Sequence, residues 1–287
     1  MMARNSARFL ARTALPLAIM IAMAPSASGA ARTRELVRAG DVQIDVTVDG
    51  SGPAIVLLPS SHRDSDDFDV LADELAEAGF RVLRPRPRGV GRSTGPMTNI
   101  TLHDFARDIA AVIEQLGGGS AIVVGHAFGN WVARMTATDH PRLVRGVVIA
   151  AAAARQIPPE LSAAVTRAGD LKLPVEERLA ALRFAFFAPG HDPTVWLTGW
   201  HPEIHASQRA AAAATQQAEW WSGGQAPILE VQADLDPFKP PAKRNEMRDE
   251  FGDRVTVVVI PDASHALIPE QPAAVAQAIA AWATALR

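Results

Sequence analysis

Two residues far apart in the chain have side chains suited to moving a proton. Asp236 follows the apolar run Pro227–Val231, and His265 follows the apolar run Val255–Ile260. A carboxylate beside an imidazole fixes the ring's tautomer and stabilises its protonated form, so the pair can serve as a general base near neutral pH. A third stretch, Val123-Val124-Gly125-His126-Ala127-Phe128-Gly129-Asn130-Trp131, has the spacing of the G-x-S-x-G turn that presents a serine between a strand and a helix. Ala127 stands where that serine would be, and a methyl group cannot attack a carbonyl. Losing the serine from a working triad costs about six orders of magnitude in kcat, or about 8 kcal/mol of barrier.

The elements that must position these residues can be read from hydrophobic periodicity. Val42, Ile44, Val46 and Val48 alternate with Gln43, Asp45 and Thr47, the pattern of a half-buried strand. Asp49-Gly50-Ser51-Gly52 is turn chemistry, and Ala54–Leu58 is a continuous apolar run suited to a strand covered on both faces. Ser65-Asp66-Asp67 opens a helix whose stripe is Phe68, Leu71 and Leu75. Arg81-Val82-Leu83 is the next strand. Thr101 to Asp104 resembles a capping box ahead of the apolar stripe Phe105, Ile109, Val112, Ile113 and Leu116. Ala121–Val124 and Val147-Val148-Ile149 are buried strands, and Val275, Ile279, Trp282 and Leu286 mark a last amphipathic helix.

Strands alternating with helices predict an α/β fold. It has a mostly parallel sheet, an antiparallel N-terminal edge and helices on both faces. Residues 155–224 break the alternation and read as an inserted helical cap, leaving 31–154 and 225–287 as the core domain. Within the cap, Trp196, Trp200, Trp220 and Trp221 either line an apolar pocket or pack its helices. The crowd Arg81, Arg84, Arg86, Arg88 and Arg92 reads as a solvated strand end and loop, stiffened by Pro85 and Pro87.

From about residue 40 onward the chain resembles the α/β-hydrolase fold superfamily. The elbow Gly125-His126-Ala127-Phe128-Gly129 carries the resemblance, with alanine at the nucleophile position. So does Pro85-Arg86-Pro87-Arg88-Gly89-Val90-Gly91-Arg92-Ser93, similar to the family's P-D-x-R-G-x-G-x-S loop but with Arg86 for its aspartate. Pro59-Ser60-Ser61 stands where the family has His-Gly-x. Asp234-Leu235-Asp236-Pro237 and Ser264-His265 complete the order elbow, acid, histidine. The resemblance implies that Asp236 and His265 are the catalytic dyad and that the backbone N–H groups of Phe128 and Ser61 form an oxyanion hole. Donors of that kind contribute about 3 kcal/mol each. Ser60 or Ser61 is an alternative nucleophile. The expected function is hydrolysis, or related chemistry, of a small and largely apolar substrate. The alternative is a small-molecule-binding protein or pseudoenzyme of the same fold.

Composition bounds the setting. The 287 residues are 48% apolar and 21% charged, with a net charge of −3. Arg4, Arg8 and Arg12 are the only charges in residues 1–30, so the remainder carries 25 basic and 31 acidic residues, a charge of −6. An acidic chain is a poor partner for nucleic acid. The basic start, the apolar run Ala14–Ala24 and the small residues up to Ala30 and Ala31 read as a cleaved signal peptide over 1–30. An exported protein, periplasmic or extracellular and without a stable membrane anchor, is expected. There is no cysteine, hence no disulfide. His62, His191, His201 and His205 lack the spacing of a metal site, so no metal or other cofactor is expected. The oligomeric state is not legible.

Overall fold

The computed structural model of the chain describes residues 32–286; the signal-like segment 1–30 lies outside the described residues. In chain order the elements are β1 (Thr33–Ala39), β2 (Val42–Gly50), β3 (Ala54–Leu58), α1 (Asp69–Glu77), β4 (Arg81–Pro85), α2 (Leu102–Leu116), β5 (Ala121–His126), α3 (Gly129–Asp139) and β6 (Val144–Ala150). Then come α4 (Pro159–Gly169), α5 (Val175–Ala185), α6 (Pro202–Ala213) and α7 (Gln217–Trp220). The chain ends with β7 (Ile228–Ala233), α8 (Glu246–Phe251), β8 (Val255–Ile260), α9 (Leu267–Glu270) and α10 (Pro272–Ala285).

The eight strands form one sheet in the order β1-β2-β4-β3-β5-β6-β7-β8. β1 and β2 are antiparallel to their neighbours, and the remaining pairs are parallel. The period of two sends alternate residues of the central strands to opposite faces. Val56, Val123, Val147 and Ile149 pack under α2 and α3 with Leu102, Ile113, Ala133 and Met135. Ile55, Leu57, Ile122, Val124 and Val148 pack under α1 and α10 with Phe68, Leu71, Leu75, Val275 and Ile279. Both faces are covered, which is why these strands read as unbroken apolar runs. A third cluster joins α4 and α5 to Phe186, Trp196 and Trp200, and includes Phe238 and Ala266 from the two loops that carry the acid and the histidine.

Three sequence expectations are corrected. β1 was not anticipated: its sequence, TRELVRA, is exposed and charged, as an edge strand must be to avoid pairing with another chain. β2 is almost fully buried rather than half-buried. Its polar positions Asp45 and Asp49 tolerate burial because arginines reach them: Arg34 and Arg92 pair with Asp45, and Arg84 donates to Asp49 at 2.9 Å. The arginines around β4 are therefore not a solvated patch. Arg84 is fully buried, and Arg88 is buried in a two-pronged pair with Asp108 at 2.6 and 2.8 Å. Such forked geometry is what makes a buried ion pair tolerable. Thr101 N–H donates to Asp104 Oδ2 at 2.9 Å, as the capping box requires.

Burial also sets the protonation of two core histidines. Burial, and secondarily repulsion from His265, pushes His126 down to about 3. Burial, then His205, Arg209 and Arg63, pushes His62 down to about 3. Both are neutral when folded, whereas the unfolded chain takes up their protons near pH 6.5. Their contribution is therefore complete above pH 6.5 and is lost as pH falls toward 3, at up to about 1.4 kcal/mol per pH unit for each. The unfolding free energy, measured by urea titration between pH 7 and 4.5, is expected to fall less steeply with acidification in His126→Asn than in the parent. Parallel slopes would contradict this account.

Candidate active site

Parallel pairing aligns the strands' C-terminal ends. Leu58 lies opposite Gly125, Gly125 opposite Ile149, and Ala233 opposite Ile260. The loops carrying Ser60, Ala127, Asp236 and His265 therefore leave one edge of the sheet, the place where open α/β sheets form crevices.

The turn from β5 into α3 is tight because two glycines permit it. A Cβ on Gly125 would collide with the backbone of Gly129 and Asn130, and one on Gly129 would collide with the Leu58 carbonyl. Between them Ala127 is held at φ +46°, a left-handed conformation that costs a residue with a Cβ about 1–2 kcal/mol. Its N–H donates to Ala150 O at 3.1 Å. Its carbonyl accepts from the Asn130 side chain, and Asn130 Oδ1 in turn accepts from Arg134. Arg134 is buried between the rings of Trp220 and Trp221, 4.7 and 4.6 Å from their centroids, and donates to Trp221 O at 3.2 Å. Burial lowers its pKa to about 9, partly offset by Glu230, so it stays charged at neutral pH.

His265 and Asp236 meet. The Asp236 carboxylate only accepts, so His265 Nδ1–H donates to Asp236 Oδ2, at 3.0 Å, and Nε2 has no hydrogen-bond partner among the described residues. The other carboxylate oxygen, Oδ1, accepts from Phe238 N–H at 2.8 Å. The Phe238 ring stacks on His265, with centroids 4.0 Å apart. The histidine loop is pinned at three further points. His126 Nε2–H donates to His265 O at 2.7 Å, Ala266 N–H donates to Phe186 O at 2.7 Å, and Ser264 N–H donates to Glu270 Oε2 at 2.6 Å. The other oxygen of Glu270 accepts from Ala188 N–H at 2.6 Å, tying the segment after α5 to the same loop. Burial raises the Glu270 pKa, and these two N–H donors oppose that.

His265, Ala127, Phe128, Ser60 and Ser61 border one cavity of 340 Å³. Among the described residues, neither Phe128 N–H nor Ser61 N–H has a hydrogen-bond acceptor. Phe128 immediately precedes α3, so its N–H lies at the positive end of that helix. The serine hydroxyls are differently placed. Ser61 Oγ–H donates to Gln208 Oε1 at 3.0 Å and lies 3.4 Å from His205 Nδ1. Neither serine hydroxyl is hydrogen-bonded to His265, whose bonded ring nitrogen faces Asp236.

Sequence reasoning missed much of the cavity wall. His205, Gln208, Arg209 and Ala212 all border it. Their spacing of i, i+3, i+4 and i+7 was the available signal, since it marks one face of α6. The cap tryptophans Trp196, Trp200, Trp220 and Trp221 are buried and pack helices. The aromatic surface comes instead from Phe128, Trp131, Phe186 and Phe238. Trp131 borders the cavity and stacks on Trp220 at 5.0 Å. Arg86 pairs with Asp64 at 2.5 Å and with Asp66 at 2.6 Å, so the charge replacing the family's aspartate is answered by acids of the segment between β3 and α1. No group of three or more His, Asp or Glu residues suited to a metal occurs among the described residues.

Comparison with known proteins agrees with this architecture. The chain is 35% identical over 109 residues to a 2-(acetamidomethylene)succinate hydrolase of Mesorhizobium japonicum, covering 38% of this chain and 39% of that protein. It is 33% identical over 129 residues to a non-heme chloroperoxidase of Streptomyces lividans, covering 43% of this chain and 45% of that one. The match thus spans less than half the length of these relatives. Among solved structures, a thermophilic esterase from Thermogutta terrifontis superposes with a TM-score of 0.71 at 24% identity, over 90% of this chain and 99% of that one. An E-2-(acetamidomethylene)succinate hydrolase superposes with a TM-score of 0.70 at 23% identity, over 88% of this chain and 100% of that one. Residues 53–272 match the family described as alpha/beta hydrolase fold, and the chain belongs to that family.

Proposed function

We propose that the protein is an exported hydrolase for a small, mainly apolar ester or amide, in which water, activated by His265 and Asp236, replaces the serine that Ala127 displaces. The observation that carries this reading is that the His265–Asp236 pair, the Ala127 methyl and the unpaired N–H groups of Phe128 and Ser61 border a single cavity. The hydrolase relative supports the reaction class. Export rests on the basic and apolar pattern of residues 1–30.

The chemistry follows from the geometry. Nε2 of His265 takes a proton from water as the water oxygen bonds to the substrate carbonyl carbon. The carbonyl oxygen becomes an oxyanion and accepts from Phe128 and Ser61 N–H. Collapse breaks the bond to the leaving alkoxide or amine, which takes the proton back from Nε2. Asp236 holds the imidazolium between those two transfers. Water and substrate are consumed, acid and alcohol or amine are released, and no covalent enzyme intermediate forms. Apolar contact comes from Phe128, Trp131, Phe186 and Phe238.

The Ala127 methyl itself favours a second reading, a ligand-binding protein of this fold without turnover. Kinetics with 4-nitrophenyl acetate separates the two. The parent is expected to release 4-nitrophenol steadily without a burst, and His265→Ala to lose at least 100-fold in kcat. Ala127→Ser is expected to give a burst equal to the enzyme concentration, because a hydroxyl then sits on a turn already held in the presenting conformation. Turnover that survives His265→Ala would refute the base. A parent without turnover beside a bursting Ala127→Ser variant would favour the binding protein.

A further inference from the structure

The cavity wall is chemically lopsided. Its apolar part is Phe128, Trp131, Ile157, Val165, Phe186 and Phe238. Its polar part contains one fixed cation, Arg209, and no carboxylate. Asp236 lies behind the imidazole, with both oxygens taken by His265 and Phe238 N–H. Most arginines near the sheet's edge have acid partners: Arg63 with Asp67, Arg86 with Asp64 and Asp66, Arg88 with Asp108. Among the described residues Arg209 has neither a carboxylate within 4.0 Å nor a hydrogen-bond partner. Its side chain is exposed, so the guanidinium belongs to the cavity's mouth rather than its floor.

The groups around Arg209 cannot supply a counter-charge. One turn earlier on α6, His205 meets His62 ring to ring, with centroids 3.5 Å apart. Both rings stay neutral: burial, and secondarily the Arg209 charge, lowers His205 to about 4. The charge of Arg209 acts on His62 in the same sense, so the guanidinium is near enough for its field to be felt at both rings. Gln208 Oε1 is occupied by Ser61 Oγ–H and by His62 N–H at 3.1 Å. Ser60 borders the same cavity and, among the described residues, its hydroxyl has no hydrogen-bond partner. Among its lining residues the cavity therefore offers one fixed positive charge and nothing negative.

We propose that Arg209 is a specificity-determining residue that binds a carboxylate of the substrate, so that the preferred substrate is an ester, lactone or amide with an apolar body and one anionic end. This deepens the hydrolase reading and rests on it for the reactive bond, though the anion preference itself is a property of binding. A carboxylate at the guanidinium takes a two-pronged hydrogen bond that a neutral ester cannot. An exposed cation at a cavity mouth also raises the encounter rate of anionic substrates, and salt suppresses that advantage.

The test compares monomethyl succinate with dimethyl succinate, binding to the full chain being followed through tryptophan fluorescence, since Trp131 borders the cavity. The parent is expected to bind the monoanion at least tenfold more tightly at low salt. In Arg209→Gln the preference shrinks to within about twofold, while Arg209→Lys keeps part of it. An exposed side chain without partners can be exchanged without unfolding the cap. Equal affinity for the two esters in the parent, or a preference unchanged in Arg209→Gln, overturns the proposal. His265→Ala distinguishes this failure from failure of the hydrolase reading: it is expected to keep the monoanion preference whether or not the parent turns over either ester.

Discussion

Everything at this edge of the sheet depends on an alanine held in a conformation that alanine avoids. Ala127 sits at φ +46° because its surroundings over-determine it. Its N–H is bound to β6, its carbonyl to Asn130, and the helix that follows is pressed against the end of β3 so closely that only glycine fits at 129. The strain, about 1–2 kcal/mol, is modest against these constraints. It has a directional consequence. The Cβ of residue 127 and the N–H of residue 128 are aimed into the crevice rather than into the sheet, and they border the same space as His265. At the position where a G-x-S-x-G turn carries a hydroxyl, this turn carries a methyl.

The polar interior behind this turn is arranged so that charges are met in pairs. Asn130 leads to Arg134, and Arg134 lies between two tryptophan rings within range of Glu230. Glu230 is fully buried in β7, where Lys239 answers it at 2.9 Å. Removing one member of such a pair leaves a charge without water or partner, and that costs more than the pair contributes. The same logic governs the antiparallel edge, where Asp45 and Asp49 of β2 meet arginines from β1, β4 and the following loop. These ion pairs hold the edge strands and the loop after β4 in register with the sheet.

Much of the fold was legible because it rests on local signals. The runs Ala54–Leu58 and Ala121–Val124, the stripes of α1, α2 and α10, and the capping box at Thr101 are written in short windows of sequence. The meeting of His265 and Asp236 was legible only through resemblance, since 29 residues separate them. What remained hidden depends on contacts between distant segments. Alternation in β2 suggested a wet face, but alternation reports polarity and not exposure. The arginines that bury Asp45 and Asp49 come from positions 34, 84 and 92. The reading of Arg84 and Arg88 as solvated failed for the same reason. For the cavity, the tryptophans drew attention by their size. The wall is instead made by the smaller face of α6, whose spacing was visible but whose direction only the packed cap decides.

On the proposed mechanism, the remaining question is what a histidine–acid pair gains from a turn that carries alanine in place of serine. A serine route lowers the barrier by splitting one difficult step into two. Without it, water must attack directly, and the site's contribution reduces to a placed base and placed amide donors. Those terms survive loss of the nucleophile, amounting to about 10³–10⁴ over the uncatalysed reaction in the systems where they have been separated. A rate of that order suffices only if the substrate is activated or is held well enough that remote binding energy orients the carbonyl. The enclosure by the cap answers that need. Phe186 and Phe238 both pack against the imidazole, and Glu270 fastens its loop to the segment after α5. A base so rigidly seated loses little reorganisation energy at each proton transfer. On the proposed mechanism, catalysis by this chain is therefore limited less by the strength of its base than by how firmly its cavity holds the substrate against it.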